Sequence, residues 1–532
     1  MSIIAVLERG RRASAGHPAV VTADTEISYN ELLVAVRRTA GALNQHGFGT
    51  GDRIAVLSPN DPAALIASYG VMASGATYVP VSATNGWRDV QSALLRFDCC
   101  ALIYHDSMVA AIEQFHDDLP DTITPMRMCG ADRDLIASPC AGDRLLDDIQ
   151  NAAVDAIPRT PALTDIAWLG LTGGTTGSPK GVQVSWAAMN AFVQKFVGEF
   201  PTRNPRTLVA TPLTHGAGML AMGTFARGGT VVVAKGVVAS HYLSMLEQYE
   251  ITEAFLPPTG IYKLLDDESV REHDYRALQH LIYAAAPMSL PRLREAIDVF
   301  GPVLTQMYGQ TECHTMISVM KPEDHFVDGD IHGQVADDAR LSGCGWPSLG
   351  TIVEIRDDDG QALLTGELGE ICVSSDLNMS GYYNAPEETA KTLRNGFVHT
   401  GDIGYLDADG CLHIVDRKKD MVITGGFNVY PAEIEPLLRR RPEIADCAVV
   451  GIPDDYWGEA LVAAVQLTNG AEIDPADLIA DLRGELGPIK TPKHIVVLDQ
   501  LPLTGLGKIL KKEVRVAVIE VLERANNRVP RR

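Results

Sequence analysis

No stretch of this 532-residue chain reaches the ~18 consecutive apolar residues that a membrane span requires. The opening residues, MSIIAVLERGRR, place their basic side chains after a short apolar run, the reverse of a secretory leader. Cysteine is sparse: nine residues, an odd number, with no C-x-x-C pair, which argues against both structural zinc and a disulfide framework. A reducing, cytoplasmic setting is the expectation. Positive charge is also short, with 45 Lys and Arg against 68 Asp and Glu and a net charge of −23. Nucleic acids and anionic lipid surfaces reward dense Lys and Arg, so neither is the expected partner. Internal repeats and low-complexity segments are missing too, which leaves an ordinary globular composition that is 46% hydrophobic.

The chain is too long for one core, since cores stop growing near about 250–300 residues. From about residue 27 to 310, β-branched apolar runs such as Arg53–Leu57, Ile166–Leu171, Thr230–Ala234, Ala254–Pro257 and Leu281–Ala285 alternate with amphipathic stretches. Those stretches include Asn30–Leu43, Ser185–Val197, Ser240–Tyr249 and Pro291–Phe300. The alternation predicts α/β architecture with parallel sheets. Residues 345–416 change to short strands broken by turns, such as Asp407–Gly410, and predict a β-rich part. After the charged run Arg417–Asp420, a unit of ~110 residues reads helix, strand, strand, helix, strand, helix, enough for a small α+β domain. The expected division is 1–417 and 418–532.

Four segments carry polar residues suited to chemistry. LTGGTTGSPKGV (Leu171–Val182) follows an apolar strand and is read as preceding a helix. Gly173, Gly174 and Gly177 permit close backbone approach, Thr172, Thr175 and Thr176 bring hydroxyls, and Lys180 brings a cation, a set suited to phosphate. Lys180 is followed by Gly181, so this is not a Walker A loop, and a plain Gly/Thr turn is the competing reading. MYGQTECHT (Met307–Thr315) offers Tyr308 to a base, Gly309 as a turn, Thr311 to a phosphate oxygen and Glu312 to Mg²⁺. Its bland alternative is a strand-end turn with a surface glutamate. Asp402 in TGD, with Arg417 beyond it, suits a ribose diol. PLTGLGKILKK (Pro502–Lys512) presents Lys508 ahead of a terminal helix, or merely a solvated lysine.

In this order the segments resemble the adenylate-forming enzymes: acyl- and aryl-CoA synthetases, nonribosomal peptide synthetase adenylation domains and luciferases. The resemblance runs from about Ile27 to Lys512 and includes GATYVPV (Gly75–Val81), SGYYNAPEET (Ser380–Thr389) and DRKKDMVITGGFNVYPAEIE (Asp416–Glu435). One departure is Gly173, where serine is more frequent. The resemblance implies that Thr172–Lys180 holds the β- and γ-phosphates of ATP, and that Ala285, Ala286 and Pro287 lie along adenine beneath Tyr308. It implies Thr311 on phosphate, Glu312 on Mg²⁺, Asp402 on ribose with Arg417 as its partner, and Lys419 as the hinge of a mobile small domain. Lys508 would bridge the substrate carboxylate and the α-phosphate, and Gly425 and Gly426 would line a tunnel for coenzyme A.

The acid pocket falls to His215, Gly216, Gly218, Met219, Ala284 and Met307, with a core role for His215 equally open. With no buried aspartate for an ammonium group, an aromatic or medium-chain acid is expected, activated as an adenylate and passed to CoA. The nearest alternative is another acceptor (carrier-protein phosphopantetheine, an amine or a small inorganic nucleophile). A luciferase-like oxygenase and a non-catalytic binding protein follow behind. Monomer and homodimer are both open.

Overall fold

The computed structural model describes residues 2–115, 119–130, 144–145, 160–172, 180–213, 216–454, 456–503 and 509–528. The chain divides into two compact units, Met1–Val353 with Val373–His399, and Glu354–Cys372 with Thr400–Arg532.

The first unit carries two large sheets. In the nine-stranded one, Leu304–Tyr308, His280–Tyr283, Glu253–Leu256, Arg206–Val209, Thr230–Val233 and Val20–Val21 run parallel in that spatial order. Antiparallel strands finish both edges. In the eight-stranded sheet, Ile166–Thr172, Thr77–Ser82, Arg53–Ser58, Ala101–His105, Thr124–Met128 and Arg144–Leu145 are parallel. Lys180–Ser185 and Gly381–Tyr382 add antiparallel strands beyond Ile166–Thr172. Parallel strands need crossovers, and the helices supplying them are capped by their own sequence. Ser28 and Glu31 form a reciprocal capping box at Tyr29–Gln45, while Asp61 caps Pro62–Ser74, which ends on Gly75 at φ 92°.

One apolar cluster draws on both sheets, joining Ile54 and Val56 to Val209, Val231 and Ile282 through helices Trp186–Glu199 and Gly216–Ala226. The second of these helices, GAGMLAMGTFA, has no charged residue, as an element buried on all sides requires. Gly223 is small because a Cβ there would lie 2.3 Å from the Phe196 ring. Arg227, just past the helix, is buried against Glu253 in a two-pronged ion pair of 2.5 and 2.7 Å and also donates to the Phe200 carbonyl.

A separate five-stranded sheet is built from Thr351–Arg356, Gly369–Ser375, Phe397–Leu406, Leu393–Arg394 and Leu412–Arg417. The last two pair antiparallel with Phe397–Leu406, in line with the β-rich expectation. Residues 422–497 supply the final sheet, where Ile444–Asp454 and Gly458–Leu467 pair antiparallel and His494–Val497 joins parallel. Helices Pro431–Arg439 and Pro475–Lys490 cover one face through Ile434, Leu438 and Leu482. Lys511–Arg528 covers the other through Val514 and Val518.

Two expectations need correction. The Gly/Thr loop does not run from strand to helix: Ile166–Thr172 and Lys180–Ser185 form an antiparallel pair, Thr172 opposite Lys180, and the helix starts only at Trp186. A hairpin at Val422–Thr424 and Phe427–Val429 was not foreseen; Gly425 (φ 57°) and Gly426 (φ 81°) make its two-residue turn. Positive φ at both central positions is what such a turn demands.

Candidate nucleotide and acid site

The nucleotide-binding candidates of the first unit come from strand ends and the turns that leave them. Strand Leu304–Tyr308 stops at Gly309, where a Cβ would meet the Thr315 carbonyl oxygen at 2.1 Å, so only glycine permits the reversal. The chain then makes a short turn over Thr311–Cys313 and leaves through two left-handed residues, His314 (φ 43°) and Thr315 (φ 70°). This turn places the Thr311 methyl against strand Ile166–Thr172, where a Cβ on Gly170 would lie 2.7 Å from it. Tyr308 and Glu312 are both half-buried. Strand His280–Tyr283 ends sooner than its sequence suggests because Ala285 adopts φ 72°, which leaves Ala284–Pro287 as an irregular, partly exposed edge.

Glu312 is held in place. The Tyr382 hydroxyl donates to its Oε1 at 2.7 Å, and the Met379 amide donates to its backbone carbonyl at 2.8 Å. Burial, then the adjoining carboxylate, pushes the Tyr382 phenol well above its ordinary pKa, so it stays a donor. Lys180 stands over the face of the same ring, its ammonium 4.8 Å from the centroid and 2.7 Å from Glu388 Oε2. The hydrogen bond from Lys180 holds the Glu388 carboxyl below its ordinary range. Tyr382 thus touches both the cation at the end of the Gly/Thr loop and the carboxylate expected to carry the metal. The second oxygen of Glu312 takes no partner among the described residues, and with the Thr311 hydroxyl beside it in sequence this donor set fits a hard cation such as Mg²⁺.

Gly173, Gly174, Thr175, Thr176, Gly177, His215 and Lys508 lie outside the described residues. Thr172 and Lys180 mark the two ends of the first loop. In the acid-pocket set, Met219 and Met307 are buried and Ala284 is half-buried. The two glycines differ: a Cβ on Gly218 would meet the Leu213 carbonyl oxygen at 2.2 Å, whereas one on Gly216 would meet nothing within 4 Å among the described residues. Gly218 therefore has a packing reason of its own.

The second unit brings together the expected ribose pair. Asp402 and Arg417 are cross-strand neighbours, joined at 2.5 Å, with the carboxylate buried. The Thr400 hydroxyl accepts from the Asp402 amide and donates to the Ile371 carbonyl, which fixes the TGD turn. Lys418 reaches Asp358 at 2.8 Å and Glu370 at 3.3 Å, and Lys419 follows it in a single 3-10 turn. Asp416 accepts from the Ala432 amide at 2.9 Å, tying this strand to helix Pro431–Arg439. The Gly425 amide donates to the Trp457 carbonyl, and the neighbouring apolar side chains Ile423, Phe427 and Tyr456 are exposed.

Sequence reasoning missed Tyr382 and Glu388, although both lie in the quoted stretch SGYYNAPEET. It also missed His314, fully buried between Trp168 and Phe192 with ring centroids at 5.5 and 5.0 Å. Neither of its ring nitrogens has a hydrogen-bond partner among the described residues. Burial holds His314 down to about 3, and His325, likewise buried, to about 4. Both folded values lie below the ordinary value near 6.5, so the unfolded chain takes up protons that the fold refuses. Their contribution to stability is complete above about pH 6.5 and is lost as pH falls towards 4 and 3. Each group removes about 2 kcal/mol by pH 5, at about 1.4 kcal/mol per unit. Melting curves at pH 7.5 and 5 should show that loss, and His314→Asn, which tolerates the left-handed backbone, should recover about half of it.

Residues 7–383 match the AMP-binding enzyme family and residues 433–508 match the AMP-binding enzyme C-terminal domain. The chain belongs to the AMP-binding enzyme family. It is 34% identical to a medium/long-chain-fatty-acid–CoA ligase of Mycobacterium tuberculosis, covering 96% of this chain and 88% of that one. It is 36% identical to a feruloyl-CoA synthase of an Amycolatopsis species, covering 95% and 97%. Among solved structures, an amide bond synthetase from Marinactinospora thermotolerans superposes with a TM-score of 0.85 at 31% identity, covering 97% and 99%. Among the described residues no helix is long and apolar enough to cross a membrane.

Proposed function

We propose that this protein is an AMP-forming acid–thiol ligase that joins an aromatic or medium-chain carboxylic acid to coenzyme A. The observation that carries this reading is the Lys180–Tyr382–Glu312 arrangement beside the Gly/Thr loop, in a chain matching both AMP-binding domains. A carboxylate and a phosphate repel each other, so catalysis begins with screening. Loop amides from Thr172 to Lys180 take the β- and γ-phosphates, Tyr308 and the Ala285–Pro287 edge hold adenine, and Asp402 with Arg417 holds the ribose. Mg²⁺ held by Glu312 would withdraw charge from the phosphates, with the Thr311 hydroxyl on a phosphate oxygen. Lys508 then aligns the acid with the α-phosphate; a carboxylate oxygen bonds to phosphorus as the bond to pyrophosphate breaks. The CoA thiol, admitted past Gly425 and Gly426, attacks the acyl carbon, loses its proton to solvent, and AMP leaves. The cytoplasm supplies ATP and CoA and keeps the thiols reduced.

The two CoA-forming relatives act on a fatty acid and on ferulate by name, and the apolar Met219 and Met307 suit tails of either kind. A second reading, an amine as final acceptor, is favoured by the likeness to the amide bond synthetase. Incubation with ATP, a panel of acids, and CoA or amines, followed by mass spectrometry, decides between them. Acyl-CoA products support the first reading, and amides formed in preference to thioesters overturn it.

Gly216 offers a test of the pocket. Its Cβ position is open among the described residues and its φ is not left-handed, so Gly216→Phe should fold. At about 0.8 kcal/mol per excluded CH₂, kcat/KM for decanoate or ferulate should fall about tenfold or more against that for propionate. The KM for ATP should not move. A uniform loss on every acid would remove Gly216 from the pocket.

A further inference from the structure

Asn60 stands just beyond strand Arg53–Ser58 of the eight-stranded sheet and binds three backbone groups that are distant in sequence. Its Nδ2 donates to the carbonyls of Thr211 at 3.0 Å and Ala234 at 3.1 Å. Its Oδ1 accepts from the Leu213 amide at 2.9 Å. Thr211 and Leu213 follow strand Arg206–Val209, and Ala234 follows Thr230–Val233, both in the nine-stranded sheet. One side-chain amide therefore clasps the carboxyl edges of both sheets, the edge where α/β proteins bind ligands. Its base is rigid, because the next residue, Asp61, caps helix Pro62–Ser74 through the Ala63 amide at 2.8 Å.

The clasp bears directly on one turn. Leu213 is buried, and its carbonyl oxygen occupies the space a Cβ on Gly218 would need. Fixing the Leu213 amide therefore fixes the surface on which the first turn of helix Gly216–Ala226 rests. We propose that Asn60 is a positioning residue for acid specificity: through Leu213 it sets how far the Gly216 turn stands from the acid. The inference rests on the reading that this turn lines the acid pocket. The chemistry needs an amide. Two donors meet two carbonyls while one acceptor meets an N–H, whereas an aspartate would turn a carboxylate towards both carbonyl oxygens.

The test measures kcat/KM for Asn60→Ser and Asn60→Asp over straight-chain acids from acetate to dodecanoate and over benzoate and ferulate. KM for ATP and the melting temperature are measured alongside. Ser28→Ala, which removes a helix cap away from the clasp, serves as a control for stability loss alone. The expected result is a change of about tenfold or more in the long-to-short preference of Asn60→Ser, with KM for ATP within about twofold. Asn60→Asp should change it further; should that variant not fold, Asn60→Ser decides. A uniform loss over all acids that tracks melting temperature, as in Ser28→Ala, would overturn the proposal. If Gly216→Phe shifts the preference and Asn60→Ser does not, the clasp fails and the pocket stands. If neither shifts it, the pocket assignment itself fails.

Discussion

Lys508→Ala should lower the rate of acyl-adenylate formation by about a hundredfold or more while leaving the fold intact. The size follows from removing one placed cation at the reacting centre, about 3 kcal/mol of transition-state stabilisation. The fold should survive because the loop is closed at its base by other contacts. Leu503 and Ile509 form an antiparallel bridge, and the Leu510 amide donates to the Pro502 carbonyl. Lys511, the first residue of the terminal helix, is anchored to Glu435 at 2.9 Å. None of these involves the Lys508 side chain. ATP–pyrophosphate exchange reads the first half-reaction, and CoA added to presynthesised acyl-adenylate reads the second. The second should be spared, and equal loss of both would refute the separation of roles.

Lys419→Pro should do the converse. Proline fixes φ near −65°, so a hinge at this residue is held in one setting, with pyrophosphate exchange largely kept and acyl-CoA production lost. The neighbouring bonds say what rotation there must change. Lys418 is paired with Asp358 and Glu370 on the sheet side, while Asp416 accepts from the Ala432 amide at the start of a helix beyond the turn. A rotation at Lys419 leaves the first pairing alone and must release the second. Normal turnover of Lys419→Pro would move the hinge elsewhere.

Much of this was legible where the signal is local. Asp402 and Arg417 share one hairpin because a turn at Asp407–Gly410 joins their strands, and that turn is plain in the sequence; that they face each other depends on a bulge between Ile403 and Gly404 that shifts the register by one residue, which is not. The strand Lys180–Ser185 was missed although its burial alternates at Val182 and Val184, because six residues between a Gly-rich loop and a helix read as part of either. The Gly425–Gly426 hairpin carried a recognised two-residue turn signal and was absorbed into a functional motif instead. Tyr382 was quoted without a role, since only the pairing of Gly381–Tyr382 with Lys180–Ser185 carries its hydroxyl to Glu312. Asn60 and His314 had no local mark at all. The partners of Asn60 lie 151, 153 and 174 residues away, and the burial of His314 depends on two aromatic rings from other elements.

The placement of the thiols bears on the fate of the reactive intermediate. An acyl-adenylate is an electrophile that any thiolate within reach would intercept. Cys313 adjoins Glu312 in sequence yet is only 1% exposed, and Cys344, Cys372 and Cys411 are also buried. Burial pushes Cys99 and Cys447 up to about 12, which keeps them protonated and inert. These six thiols are thus withheld from an acyl-adenylate, while Cys100 and Cys129 are half-buried and Cys140 lies outside the described residues. Six buried thiols also suit spectroscopy: with Cys100, Cys129 and Cys140 replaced by serine, a cysteine introduced on each side of Lys419 would take a fluorophore pair, and a rotation at Lys419 could be timed against each half-reaction.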